Sequence, residues 1–173
     1  MTQEKLEQLF HKGLGKNQAL FLAREILDGT YRLDEVLDAC LNENTSVSMK
    51  ASYVLSAVSQ LDLDAIEAHV PYLIKVVEES PIQGTRREAL RMISRCYPWT
   101  GEIEEQLVEL CLFIIESDET ATGEKYHCMR IMNNVGENYP EKMTQFTATL
   151  KHKMPELTPA MQRQVNKRFL DED

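Results

Sequence analysis

The chain is 173 residues long, which is close to the size of one domain. Hydrophobic residues make up 43% of it and charged residues 27%, and only 7 Gly and 6 Pro occur, so collagen, disordered chains and disulfide scaffolds are excluded. Its 28 Asp and Glu against 19 Lys and Arg give a net charge of −9, which disfavours nonspecific binding to nucleic acid or to an anionic membrane.

The N-terminal segment comes first in chain order and carries charges at Glu4, Lys5, Glu7 and Lys12, so it lacks the apolar core of a signal peptide. Uncharged apolar stretches such as 110–115 are too short to cross a bilayer. We therefore expect a cytoplasmic protein that does not associate with a membrane.

Apolar residues recur at helical spacing along the chain, and no two-residue alternation indicates a strand. Turn-forming residues divide this pattern into about ten helices of roughly 9 to 18 residues. The expected breaks fall at 13–15, 29–30, 42–45, 60–64, 81–84, 98–101, 117–122, 139–140 and 154–158. The sequence therefore predicts an all-α fold of short helices joined by short loops.

The predicted helices come in pairs that repeat. Segments 49–55, 87–93 and 126–132 align at offsets of 38 and 39 residues, and positions 0, 3, 4 and 7 are apolar in every copy, which forms one stripe of a helix. These columns are Ala51/Ala89/Cys128, Val54/Met92/Ile131, Leu55/Ile93/Met132 and Val58/Cys96/Val135. A period of about 40 residues with two helices per unit predicts a helical solenoid.

The helix that precedes each of these segments repeats with the same period. Four residues lie 38 positions before four others, and two more continue the series, namely Val70, Ile74, Val76 and Val77, then Val108, Leu112, Ile114 and Ile115, then Phe146 and Leu150. The period therefore applies to both helices of a pair.

This pattern resembles HEAT-like repeats. The resemblance implies an all-α fold, a right-handed α-α superhelix of about five antiparallel helix pairs, in one domain over residues 1–173. The clear repeats would span about 33–60, 63–98 and 102–140, with capping helix pairs at 1–29 and 141–170. The run 48–55 followed by 63–66 is also similar to small bacterial HEAT-like proteins sometimes named adenylosuccinate lyase, but the Met-Pro-x-Lys-x-Asn-Pro signature of that enzyme is absent from the sequence, so the activity is not expected.

Charge is unevenly divided between the two helices of a pair. The first helices are acidic, with four acids and no base in 33–43, five acids and one base in 62–79, and seven acids and no base in 102–119. The second helices carry a small net positive charge, most of it in 83–98. In HEAT-like proteins the second helices line the concave face, so the resemblance implies a mildly basic concave face and an acidic convex one.

The exposed side of the second helices supplies a candidate binding face. It comprises Tyr53, Arg87, Arg91, Arg95, Tyr126, Arg130 and Asn134, and Arg163, Lys167 and Arg168 on the last helix would extend it. Arg offers forked donors for carboxylates and Tyr offers a stacking face, so an acidic segment of a partner protein is the expected ligand. Two other interpretations stay open: arginines that only pair with acids such as Glu88, Glu124 and Glu137, and a nucleic-acid groove like that of HEAT-like DNA alkylation-repair glycosylases.

No pattern of catalytic residues is recognised, and we expect neither enzymatic activity nor a cofactor. The four cysteines have no Cys-x-x-Cys spacing and the histidines no metal-ligand spacing, so no metal site is expected and the thiols should be buried and inert. Trp99 follows a proline in a turn and is a minor candidate for ligand contact. The sequence thus favours a protein-binding scaffold that is a monomer or a weak dimer and whose partner is an unidentified protein.

Overall fold

The computed structural model describes Phe10 and residues 14–170, and this part of the chain is helical with no strand. The chain divides into two compact units, Met1–Cys96 and Tyr97–Asp173. The expectations about the charged N-terminal segment and the first capping helix fall mostly outside the described residues. An all-α fold is confirmed, whereas the superhelical path and the single domain remain predictions.

Six helices form the first unit: α1 Lys16–Leu27, α2 Leu33–Ala39, α3 Thr45–Leu61, α4 Asp64–Glu67, α5 Val70–Glu79 and α6 Gln83–Ile93. Helix α3 is the centre of this unit, because it packs against α1, α2 and α6, while α5 packs against α6. Asn44 caps the start of α3, since its Oδ1 accepts from the backbone amides of Ser46 at 3.0 Å and Val47 at 3.3 Å. Gly29 follows α1 with a φ of 79°, a left-handed conformation that glycine adopts without a steric penalty.

The second unit contains helices α7 Gly101–Glu116, α8 Thr122–Val135, α9 Pro140–Lys153 and α10 Pro159–Val165. Short 3-10 turns follow α8 and α9, and a π-helical turn at Asn166–Leu170 follows α10. Helix α7 packs against both α8 and α9. This arrangement leaves one side of α7 in contact with solvent.

The repeat columns are the buried core of both units. Every residue of the four columns is at most 2% exposed, and every residue of the series on the preceding helices is at most 6% exposed. The period found in the sequence is therefore the spacing at which equivalent side chains enter the core, and this prediction is confirmed.

Some predicted helix boundaries are wrong. The segment 62–79 was expected to be one helix, but α4 ends at Glu67 and α5 begins at Val70. Pro71 explains the break, because its ring lacks an N–H and would clash with the carbonyl of Glu67 in a continuous helix. Helix α2 has 7 residues and stops at Ala39, short of the expected 43. Helix α6 likewise stops at Ile93, before Pro98, which disfavours helical backbone at the residue preceding it.

None of the helices in the described residues combines the length and the hydropathy needed to span a bilayer.

Candidate functional site

Four of the seven residues of the predicted binding face lie in the first unit, and we call them the arginine face: Tyr53, Arg87, Arg91 and Arg95. Arg87, Arg91 and Arg95 recur every fourth residue along α6 and the turn that follows it, so they form one row. Tyr53 lies on α3, which packs beside α6, and is 40% exposed. The side chains of Arg87 and Arg91 are 44% and 38% exposed.

A buried carboxylate holds two of these arginines. Glu88 is 7% exposed, and its Oε2 lies 2.7 Å from Nη2 of Arg91, while its Oε1 lies 3.4 Å from Nη2 of Arg87. Pairing of the arginines with Glu88 is thus confirmed. The pair places both guanidinium groups beside one carboxylate without burying them.

Serine hydroxyls of α3 hold the outer arginines. Arg91 donates from Nη2 to Oγ of Ser56, and Arg95 donates from Nη1 to Oγ of Ser59 at 3.1 Å. Both serines are buried, at 3% and 2% exposure. Each arginine of this pair therefore reaches across to the equivalent helix of the preceding repeat.

A third contact joins the same two helices deeper in the core. Ser48 Oγ and Thr85 Oγ1 lie 2.7 Å apart, and both residues are 0% exposed. Sequence reasoning missed Ser59 and Thr85 as functional neighbours of the arginines. The available signal was the recurrence of small polar residues at helical spacing on α3, at Ser48, Ser52, Ser56 and Ser59.

The arginine face retains free hydrogen-bonding capacity. A guanidinium has five N–H donors, and each of the three arginines uses only one terminal nitrogen in its contacts with other described residues. Segments 45–61 and 83–95, which carry this face, contain five basic residues and one acid, Glu88. A surface with fixed guanidinium groups and excess positive charge can bind carboxylates or other anions.

The other three predicted residues lie on α8 in the second unit. Arg130 is half-buried and Asn134 is exposed, and neither makes a hydrogen bond or ion pair with another described residue. Tyr126 is half-buried, and its ring centroid lies 5.3 Å from that of His127 in an edge contact. The two sets of residues belong to different units, and a single face that includes all seven remains a prediction.

Other sequence candidates have local roles in the second unit. Glu124 is 1% exposed, and its Oε2 accepts from the backbone amide of Ala121 at 3.1 Å, so it caps α8. The indole of Trp99 lies in an edge contact with Tyr97, with 5.3 Å between ring centroids. Of the three residues expected to extend the face, Arg163, Lys167 and Arg168 are all exposed.

The cysteines are buried and free, as predicted, at Cys40, Cys96, Cys111 and Cys128. Burial raises the pKa of Cys96 to about 11 and also raises the pKa of Cys40, which disfavours the reactive thiolate. Within the described residues, no group of three or more His, Cys, Asp or Glu side chains is arranged to hold a metal ion.

Comparison with protein families gives one match. A family model described as a HEAT repeat domain matches residues 3–172. Comparisons with curated proteins and with solved structures give no match. HEAT repeat domains are generally non-catalytic scaffolds for protein interactions.

Proposed function

Because the chain belongs to the HEAT repeat domain family, we propose that it is a non-catalytic interaction module whose arginine face binds an acidic segment of a partner protein. The observation that carries this proposal is the row of guanidinium groups at Arg87, Arg91 and Arg95. Each is fixed at one nitrogen by Glu88 or by a serine of α3 and keeps donors for a ligand.

Preorganisation favours binding at this row. A ligand that meets fixed side chains does not have to restrict them, and restricting a long side chain costs about 0.5 to 1.5 kcal/mol. The guanidinium fork matches a carboxylate in two parallel hydrogen bonds. The exposed ring of Tyr53 adds an apolar contact beside the charges.

An acidic protein segment fits better than nucleic acid. The whole chain carries a net charge of −9, and this field repels a polyanion that extends beyond the arginine face. A duplex needs several phosphate contacts spread along its backbone. A short acidic segment presents its charge only where the positive charge is.

Titration by fluorescence anisotropy tests the proposal. The probe is a labelled peptide of about 12 residues with Glu one helical turn apart, and the same peptide with Gln in place of Glu is its control. We expect the Glu peptide to bind and Arg87→Glu to weaken that binding about tenfold or more. Arg32→Glu makes the same charge change in the same unit, at an exposed residue that precedes α2, and should leave binding within about twofold.

Two results would overturn the proposal. One is equal weakening by Arg87→Glu and Arg32→Glu, which would indicate a response to net charge alone. The other is tighter binding of a short duplex than of the Glu peptide at the same salt concentration, with a steep salt dependence. That result would favour the nucleic-acid alternative.

A further inference from the structure

Helix α7 exposes an acidic side that includes an aromatic residue. Glu102, Glu105, Glu109 and Phe113 lie on one side of this helix, and we call them the glutamate face. Phe113 is 72% exposed, more than any other large hydrophobic residue in the described part of the chain. A phenyl ring exposed to this extent among carboxylates marks a surface suited to a partner.

Only one edge of this face is covered within the second unit. Nζ of Lys142 on α9 lies 2.7 Å from Oε1 of Glu109. Glu102 and Glu105 make no ion pair with any described residue. The face therefore presents uncompensated negative charge next to Phe113, and its complement is a basic surface that carries an aromatic or apolar residue.

The arginine face of the same chain has that chemistry. It presents Arg87, Arg91 and Arg95 with the exposed ring of Tyr53. Arg87 and Arg91 are four residues apart, as are Glu105 and Glu109, and four residues of helix rise about 6 Å. Two helices laid side by side can therefore bring both arginines opposite both glutamates.

We propose that the glutamate face of one copy docks on the arginine face of a second copy. This inference rests on the proposed function, because it identifies the acidic element bound by the arginine face as helix α7 of another molecule. The contact joins two different surfaces, so each copy retains one unoccupied face and association grows with concentration instead of stopping at a symmetric dimer. Since the paired charges are exposed, the association is weak and salt-sensitive.

Two double variants test this arrangement by sedimentation velocity at low salt. Arg87→Glu with Tyr53→Ala disables the arginine face, and Glu105→Arg with Phe113→Ala disables the glutamate face. We expect the wild-type mass to rise with concentration at low salt and to fall to that of the monomer at high salt. Each variant alone should remain a monomer, because it lacks one of the two faces that the contact needs.

An equimolar mixture of the two variants is the decisive sample. One chain keeps its glutamate face and the other keeps its arginine face, so we expect a 1:1 dimer that does not grow further. A mixture that stays monomeric overturns the inference, as does wild-type association that persists in both separate variants. Thermal unfolding of each variant, compared with the wild type, establishes that both are folded.

The acidic-peptide titration separates this inference from the proposed function. The variant Glu105→Arg with Phe113→Ala keeps its arginine face and should still bind the Glu peptide. Peptide binding by this variant with no dimer in the mixture overturns self-association and leaves the proposed function standing. Loss of peptide binding in a folded sample of this variant overturns the proposed function itself.

Discussion

Arg95 donates from Nη1 to Oγ of Ser59 at 3.1 Å, although 36 residues separate them. This separation is close to the repeat period of 38 residues, so the bond joins a residue of one repeat to the corresponding helix of the previous repeat. Arg91 and Ser56 make the same kind of contact one turn earlier. The arginines therefore contribute to the stacking of repeats as well as to the charge of the surface.

Loss of a serine acceptor should destabilise the fold slightly. Ser59→Ala removes the bond to Arg95, and we expect the free energy of unfolding to fall by about 1 kcal/mol, since water can reach the half-buried guanidinium. Ser46→Ala is the matched control, because Ser46 is exposed in the first turn of the same helix. Urea unfolding of both variants measures the difference, and equal stability of the two would contradict the role assigned to Ser59.

The buried hydroxyl pair predicts an order of costs. Oγ of Ser48 donates to the carbonyl of Cys40 at 2.8 Å, and its single hydrogen is then used, so Thr85 is the donor to Ser48. Thr85→Val keeps the shape and leaves the bond of Ser48 to Cys40, and should cost about 1 kcal/mol. Ser48→Ala leaves two buried groups unpaired and should cost about 2 to 3 kcal/mol. Urea unfolding tests this order, and a larger cost for Thr85→Val would refute the donor assignment.

A close contact at Gly136 predicts overpacking. A Cβ added to Gly136 would lie 2.9 Å from Sδ of Met143, so we expect Gly136→Ala to cost about 1 kcal/mol. Truncation of the neighbour in Gly136→Ala with Met143→Ala should make the added methyl group harmless, measured against Met143→Ala alone. Gly101→Ala is the control, because nothing lies within 4 Å of that Cβ position. A double-mutant cycle without coupling would disprove the steric explanation.

Burial of Cys96 predicts a loss of stability at alkaline pH. Burial raises the pKa of this thiol from 9.0 to about 11, so above pH 9 the folded protein keeps a proton that the unfolded chain has released. The stabilisation from the neutral thiol is then complete below pH 9 and is lost as the pH rises through about 11. Unfolding curves from about pH 8 to 11 should fall more steeply for the wild type than for Cys96→Ala. Parallel curves would rule out a contribution from Cys96.

The buried core could be predicted from the sequence because apolar periodicity and burial have the same physical cause. A residue such as Ala51 enters the core at the position where Ala89 does one repeat later. The break at Pro71 was also available, since the family resemblance placed a proline in the first helix of a repeat. Its effect on the helix 62–79 was missed because the apolar spacing continues through the break.

The candidate site could be predicted only in part. The arginines were found because they share one side of a helix, and their partner Glu88 lies on the same helix within one turn. Their contacts with Ser56 and Ser59 depend on the rotation and offset of α3 against α6. Those quantities result from packing and cannot be read from either helix alone. The same is true of Phe113, whose apolar character predicted burial but whose position on α7 faces solvent.

The most direct test of the central claim is an NMR titration of ¹⁵N-labelled protein with the Glu peptide, observed at the side-chain Nε–Hε resonances of arginine. Binding at the arginine face predicts the largest changes at Arg87, Arg91 and Arg95, with Arg32 unchanged as the internal control. It also predicts no change with the Gln peptide. Changes centred on Arg130 or Arg163, with Arg87 unaffected, would contradict the account and place the binding site in the second unit.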